Sequence, residues 1–204
     1  MVKLFKRVFL PGRETPNLAT WLGGSCFFVE FQNGLRVLIN PFFEESPLAP
    51  LLQRYSLVEG IPSIDAVMIC HNNHNLSYPI LEKIAQKHPL CRFFVPRGNK
   101  GPFLVRGIKH VTEMDWWELS WVCPPRSPSK GPIQVQKLET IDNMRDVIAR
   151  ITCLPCRDSN NEEFCDGCEL SNARCASWYI EACGKKVFLV GYVIETDKLL
   201  LFGQ

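Results

Sequence analysis

The sequence lacks several features that would decide its class at once. No stretch approaches the roughly 20 apolar residues of a membrane-spanning helix, and "VFLPG" near the start is too short for a secretory signal core. Both absences point to an intracellular, cytoplasmic chain. A strong charge of either sign is also missing: the formal net charge is +2, which gives no reason to expect nucleic acid. A basic start (Lys3, Lys6, Arg7, Arg13) reads as a solvated terminus, with contact to anionic lipid at a membrane surface as the alternative. Histidine is scarce, at four residues, and no internal repeat or low-complexity tract is present.

The rest is ordinary for a folded domain. The 204 residues are 46% hydrophobic and 22% charged, enough for a single domain over 1–204 with a real core. Cysteine is the exception, with ten residues. Cys26, Cys70, Cys91 and Cys123 are scattered, and the others crowd into 153–183. In an intracellular chain these read as thiols or metal-bound thiolates before disulfides.

"SCFFVEF" and "LRVLINP", separated by "QNG", predict a β-hairpin. The proline-punctuated stretch 45–63 leaves room for a short helix. "IDAVMIC" is a nearly continuous apolar run, typical of a strand buried on both faces. "YPILEKIAQKHP" has helical apolar spacing with Pro79 in the first turn, and "CRFFVP" returns to strand. "GIKHVTEMDWWE" leads into a further strand. Ligands in such crossover sheets sit beyond the strands' carboxyl ends, which is where "HNNHN" falls. "PPRSPSKGP" reads as an exposed loop, and 146–155 with 177–195 as the strands of a second hairpin region.

In order, "WLGGS", "GLRVLINPFF", "IDAVMICHNNHNLSYP", "RFFVPRG", "VTEMDWWE", "ITCLPCRD" and "KKVFLVGY" resemble the metallo-β-lactamase superfamily, in particular its N-acyl-phosphatidylethanolamine phospholipase D-like branch. The resemblance implies an α/β fold, a partial αββα sandwich formed mainly by the N-terminal half and truncated at its C-terminal end. It also implies a binuclear zinc centre whose bridging hydroxide cleaves a phosphodiester. The family builds that centre from five histidines and two aspartates. Carried over position by position, the ligands are mostly gone. His71 matches the first histidine of the loop; the second falls on Asn73 or near His74, and the loop aspartate on Asn75 or His74. A later histidine falls on Asp158 and the bridging aspartate on Tyr192. Two supporting positions, a histidine and an aspartate in the family, are Gly24 and Asn40. His88 and His110 fall outside the motif blocks. An intact binuclear zinc centre of this type is therefore not expected, while the packing residues persist.

Cys153, Cys156, Cys165 and Cys168 form C-x2-C-x8-C-x2-C within a Cys-rich insert, 153–175. Two such pairs suit one structural zinc in a knuckle. Free thiols packed as small hydrophobes, disulfides, and a mixed site of Cys153 or Cys156 with His71 and His74 are the alternatives. Cys26 reads as a strand cysteine facing the core, and Trp116 and Trp117 as core or sheet-edge packing. Asp115 and Glu118 read as a solvated turn. Cys70 beside His71 faces the opposite side of its strand.

These readings lead to a non-catalytic protein with a binding or regulatory role. Its partner, another protein or a second copy, is expected to cover an incomplete sandwich. The alternative is a metal-dependent phosphodiesterase releasing N-acylethanolamine and phosphatidic acid. A third possibility is an incomplete gene product that folds poorly.

Overall fold

The computed structural model describes residues 6–10, 17–23, 25–41, 63–71, 77–125, 131–141, 143–156, 173–190 and 199–202. Among these, a seven-stranded sheet runs in the order β1 (Lys6–Leu10), β2 (Asn17–Gly23), β3 (Cys26–Glu30), β4 (Arg36–Ile39), β5 (Ala66–Met68), β6 (Arg92–Pro96) and β7 (Val111–Met114). Strands β1 to β4 pair antiparallel, whereas β4 to β7 are parallel. Helix α1 (Tyr78–Lys87) makes the crossover from β5 to β6, and α2 (Lys100–Val105) that from β6 to β7. The second sheet has six antiparallel strands among the described residues, β8 (Leu119–Cys123), β9 (Gln134–Gln136), β10 (Ala149–Pro155), β11 (Ala176–Ala182), β12 (Lys185–Leu189) and β13 (Leu199–Phe202). Their order is β13-β12-β11-β10-β8-β9.

Strand alternation explains the layers. In β5 and the residues after it, Ala66, Met68 and Cys70 face the second sheet, while Val67 and Ile69 face the helices. A strand apolar on both sides is what a parallel interior strand requires. The helix side is closed by Leu81 and Ile84 of α1 and Phe103 of α2 against Phe28, Leu38, Val67 and Phe93. The other side is the inter-sheet core, where Val37, Met68, Phe94 and Met114 meet Ile151, Trp178, Ile180 and Val187. Helix, sheet and sheet are thus three layers of the sandwich that the resemblance implies. The first sheet's inner face is covered by this chain's own strands.

The two predicted hairpins are present. The first closes with Gly34 at φ +86° and the Gly34 N–H donating to the Phe31 carbonyl at 2.9 Å. Between β11 and β12 a two-residue turn places Cys183 (φ +51°) and Gly184 (φ +67°) in the left-handed region, the geometry that matches strand twist. The expected helix at 45–63 falls almost wholly outside the described residues. Five strands (β1, β2, β8, β9 and β13) and α2 are elements that the sequence reading did not single out. Of the basic start, Lys6 and Arg7 lie in β1, the edge strand of the first sheet.

Candidate functional site

The carboxyl end of β5 is where the two sheets are stitched together. Ile69 N–H donates to the Phe94 carbonyl at 3.0 Å, and the Ile69 carbonyl accepts from Trp178 Nε1 at 2.9 Å. One residue on, the Cys70 carbonyl accepts from Ala176 N–H at 2.8 Å. His71 follows and is 8% exposed, at the mouth between the sheets. Asn40, at the end of β4, has φ +40°, a conformation asparagine tolerates better than most residues. Its N–H donates to the Met68 carbonyl at 2.9 Å and its Oδ1 accepts from Cys70 N–H at 2.9 Å. The Asn40 side chain therefore pins the backbone ahead of His71.

Four thiols, those of Cys70, Cys153, Cys156 and Cys175, are buried at this end. Burial pushes the Cys70 thiol up to about 12, with Asn40 opposing and Cys156 adding to the effect. Burial also raises Cys153 well above its ordinary value, reinforced by Asp115, Cys70 and Glu118 and opposed by Arg174. Cys153 lies within β10, paired with Trp178, and its Sγ donates to the Met114 carbonyl at 3.6 Å. The first C-x2-C is thus extended through Pro155, not looped, and the Cys153 thiol faces the inter-sheet core. Cys156 and Cys175 are buried nearby, and Cys26 faces the helix-side core as expected.

Among the described residues, no three histidine, cysteine or acidic side chains converge as a metal ion requires. Among the described donors, Asn40 spends its side-chain oxygen on the Cys70 N–H. His74, Asn73, Asn75, Gly24, Asp158, Tyr192, Cys165 and Cys168 lie outside the described residues. His88 ends α1, and His110 precedes β7. Because β5, β6 and β7 run parallel, both belong to the end of the sheet opposite His71.

The "MDWWE" turn behaves differently from its sequence reading. Asp115, expected as a solvated turn residue, accepts Arg97 Nη1 on Oδ2 at 2.8 Å and Arg174 Nη1 on Oδ1 at 2.6 Å. Burial pushes its carboxyl up, but bonds from Arg97 and the Trp116 N–H, with the charges of Arg174 and Arg97, hold it below the ordinary range. Glu118 Oε2 accepts the Asp115 N–H at 2.9 Å. Trp116 packs on the inter-sheet core as expected, and its Nε1 donates to the Cys175 carbonyl at 2.8 Å. Trp117 departs from the expectation: it is 72% exposed, at φ +67°. The turn needs a left-handed residue there because the Trp117 N–H donates to the Cys153 carbonyl at 2.7 Å, while Cys153 N–H donates to the Glu118 carbonyl at 2.9 Å. Arg97 and Arg174 carried no signal in the sequence, since each is a lone arginine in a loop.

No protein-family model matches the chain. Solved structures of metallo-β-lactamases align with it at low identity. A Cronobacter sakazakii metallo-β-lactamase with a HARLDQ motif is 11% identical over 84% of this chain and 58% of that one, with a TM-score of 0.46. A B3 metallo-β-lactamase described as having an active-site glutamic acid is 13% identical over 91% of this chain and 61% of its own, at 0.47. FEZ-1 from Legionella gormanii is 12% identical, with 84% and 58% covered, at 0.38. The chain therefore spans about three-fifths of these enzymes, and the likeness is one of fold alone.

Proposed function

We propose that this protein is a non-catalytic member of the metallo-β-lactamase fold class, using the mouth between its sheets for binding or regulation. The observation that carries the reading is Asn40. In place of a carboxylate it spends its side-chain oxygen on the Cys70 N–H. A structural zinc held by Cys165, Cys168 and the other insert cysteines is compatible with this role, as is a partner protein on the outer face of the second sheet.

The alternative, zinc-dependent hydrolysis of N-acyl-phosphatidylethanolamine, is favoured by one feature: His71 sits at the carboxyl end of an interior parallel strand, where such sheets hold ligands. Elemental analysis together with a phosphodiesterase assay in added zinc separates the two. Absence of zinc-dependent turnover, with zinc content unchanged by His71→Ala, is the expected result. Turnover that disappears in His71→Ala would reverse it.

A further inference from the structure

The end of the first sheet opposite His71 holds two histidines, and the backbone of each ties down the start of β6. Pro89 cannot continue α1, so the chain turns through His88, Pro89, Leu90 and Cys91. The His88 N–H still donates to the Ile84 carbonyl at 2.8 Å. The His88 carbonyl accepts the Cys91 N–H at 2.9 Å, which closes a four-residue turn with proline at its favoured second position. Two residues on, the Phe93 N–H donates to the His110 carbonyl at 2.7 Å, and between them the Arg92 N–H donates to the Asp65 carbonyl at 3.0 Å. Behind the turn, Ile84 and Cys91 pack in the helix-side core.

The His88 ring is half-buried, but its Nε2 is inaccessible to water and has no hydrogen-bond partner among the described residues. A neutral imidazole leaves that nitrogen as a bare lone pair, whereas an imidazolium makes it a charged donor. A buried charged donor without an acceptor is costly. The carboxyl end of a helix favours a cation, but Lys87 already stands there. Burial holds the His88 imidazole below its ordinary value, and the Lys87 charge lowers it further. Across β6, burial also lowers His110, reinforced by Arg92 and Lys109. Asp65 accepts the Arg36 N–H on Oδ2 at 2.8 Å, and burial raises its carboxyl against the opposing effect of Arg36. Cys91 stays a neutral thiol, because burial and Asp65 raise it well above its ordinary value. Arg92 stays a cation.

We infer that this end of the sheet is an acid-sensitive joint, in which protonation of His88 opens the 88–91 turn and releases the first residues of β6 from α1. A histidine that is harder to protonate in the closed turn binds its proton more tightly in the opened one. Opening is therefore favoured as pH falls below about 6.5, the value of an exposed histidine. Asp65 works in the opposite sense, since a raised carboxyl favours the closed form as it takes up a proton. The joint lies at the far end of the sheet from the mouth and needs neither a metal nor a ligand there.

Amide hydrogen exchange on the full chain at pH ~7.5 and ~5.5, corrected for intrinsic exchange rates, provides the test. Protection of the Cys91 and Phe93 amides falls by up to about tenfold in the acid sample, while the Trp178 and Ile180 amides of β11 keep theirs. In His88→Phe, which fills the same place without a titrating nitrogen, protection is equal at both pH values. His88→Asn, suited to the first position of the turn, gives the same result as a second non-titrating variant. In His110→Gln the acid loss persists. Equal protection at both pH values in the wild type overturns the proposal, as does an acid loss that survives in both His88 variants. A loss that disappears in His110→Gln, or one spread evenly through β11, overturns it too.

Discussion

Asp115 is the residue on which most of the local electrostatics turns. Its folded carboxyl lies below the ordinary value, burial being outweighed by Arg97, the Trp116 N–H and Arg174. A depressed acid contributes stability above the unfolded pKa of about 3.9 and loses that contribution as pH falls through the folded value. Thermal midpoints of wild type and Asp115→Asn are therefore expected to differ at neutral pH and to converge below pH ~4. A constant difference at every pH would exclude a charge-based role. Trp117 makes the opposite prediction. Replacing it with glycine removes the left-handed penalty and is expected to stabilise the fold by about 1 kcal/mol in urea denaturation.

At the level of elements, the join between β5 and β11 matters most. Trp178 fills the inter-sheet core and its Nε1 bonds the Ile69 carbonyl. Trp178→Phe keeps much of the volume but leaves a buried carbonyl without its donor, so a loss of about 1–3 kcal/mol is expected. An unchanged urea midpoint would show that the bond is dispensable. By contrast Arg150 and Glu181, paired across β10 and β11 on the outer face, are partly exposed. Their ion pair contributes about 1 kcal/mol or less, and Glu181→Gln should shift the midpoint little. The same comparison explains what could be read in advance. β5, β6 and the hairpin β3–β4 were legible because interior strands are apolar on both faces or bounded by a glycine turn. β8 was not: Ser120 and Trp121 break its apolar pattern, and Ser120 is buried only through tertiary packing. β2 mixes Asn17 and Thr20 with apolar residues for the same reason.

For the whole molecule, the sandwich brings Asn40 against the backbone just ahead of His71. His71 was legible as the residue after a buried strand, and Asn40 as a substituted supporting position. The arginine pair was not, because Arg97 follows β6 and Arg174 precedes β11: the pairing of β6 with β7 brings the first to Asp115, and the facing of the two sheets the second. Among the described residues no helix is long and apolar enough to cross a membrane.

The central claim, a binding scaffold without a binuclear hydrolytic centre, meets its most direct test in zinc stoichiometry. The purified chain would be equilibrated with excess zinc, desalted and measured for metal per protein, alongside His71→Ala. The account predicts at most one zinc per chain, with the same ratio in the variant. Two zinc ions per chain, falling in His71→Ala, would contradict it.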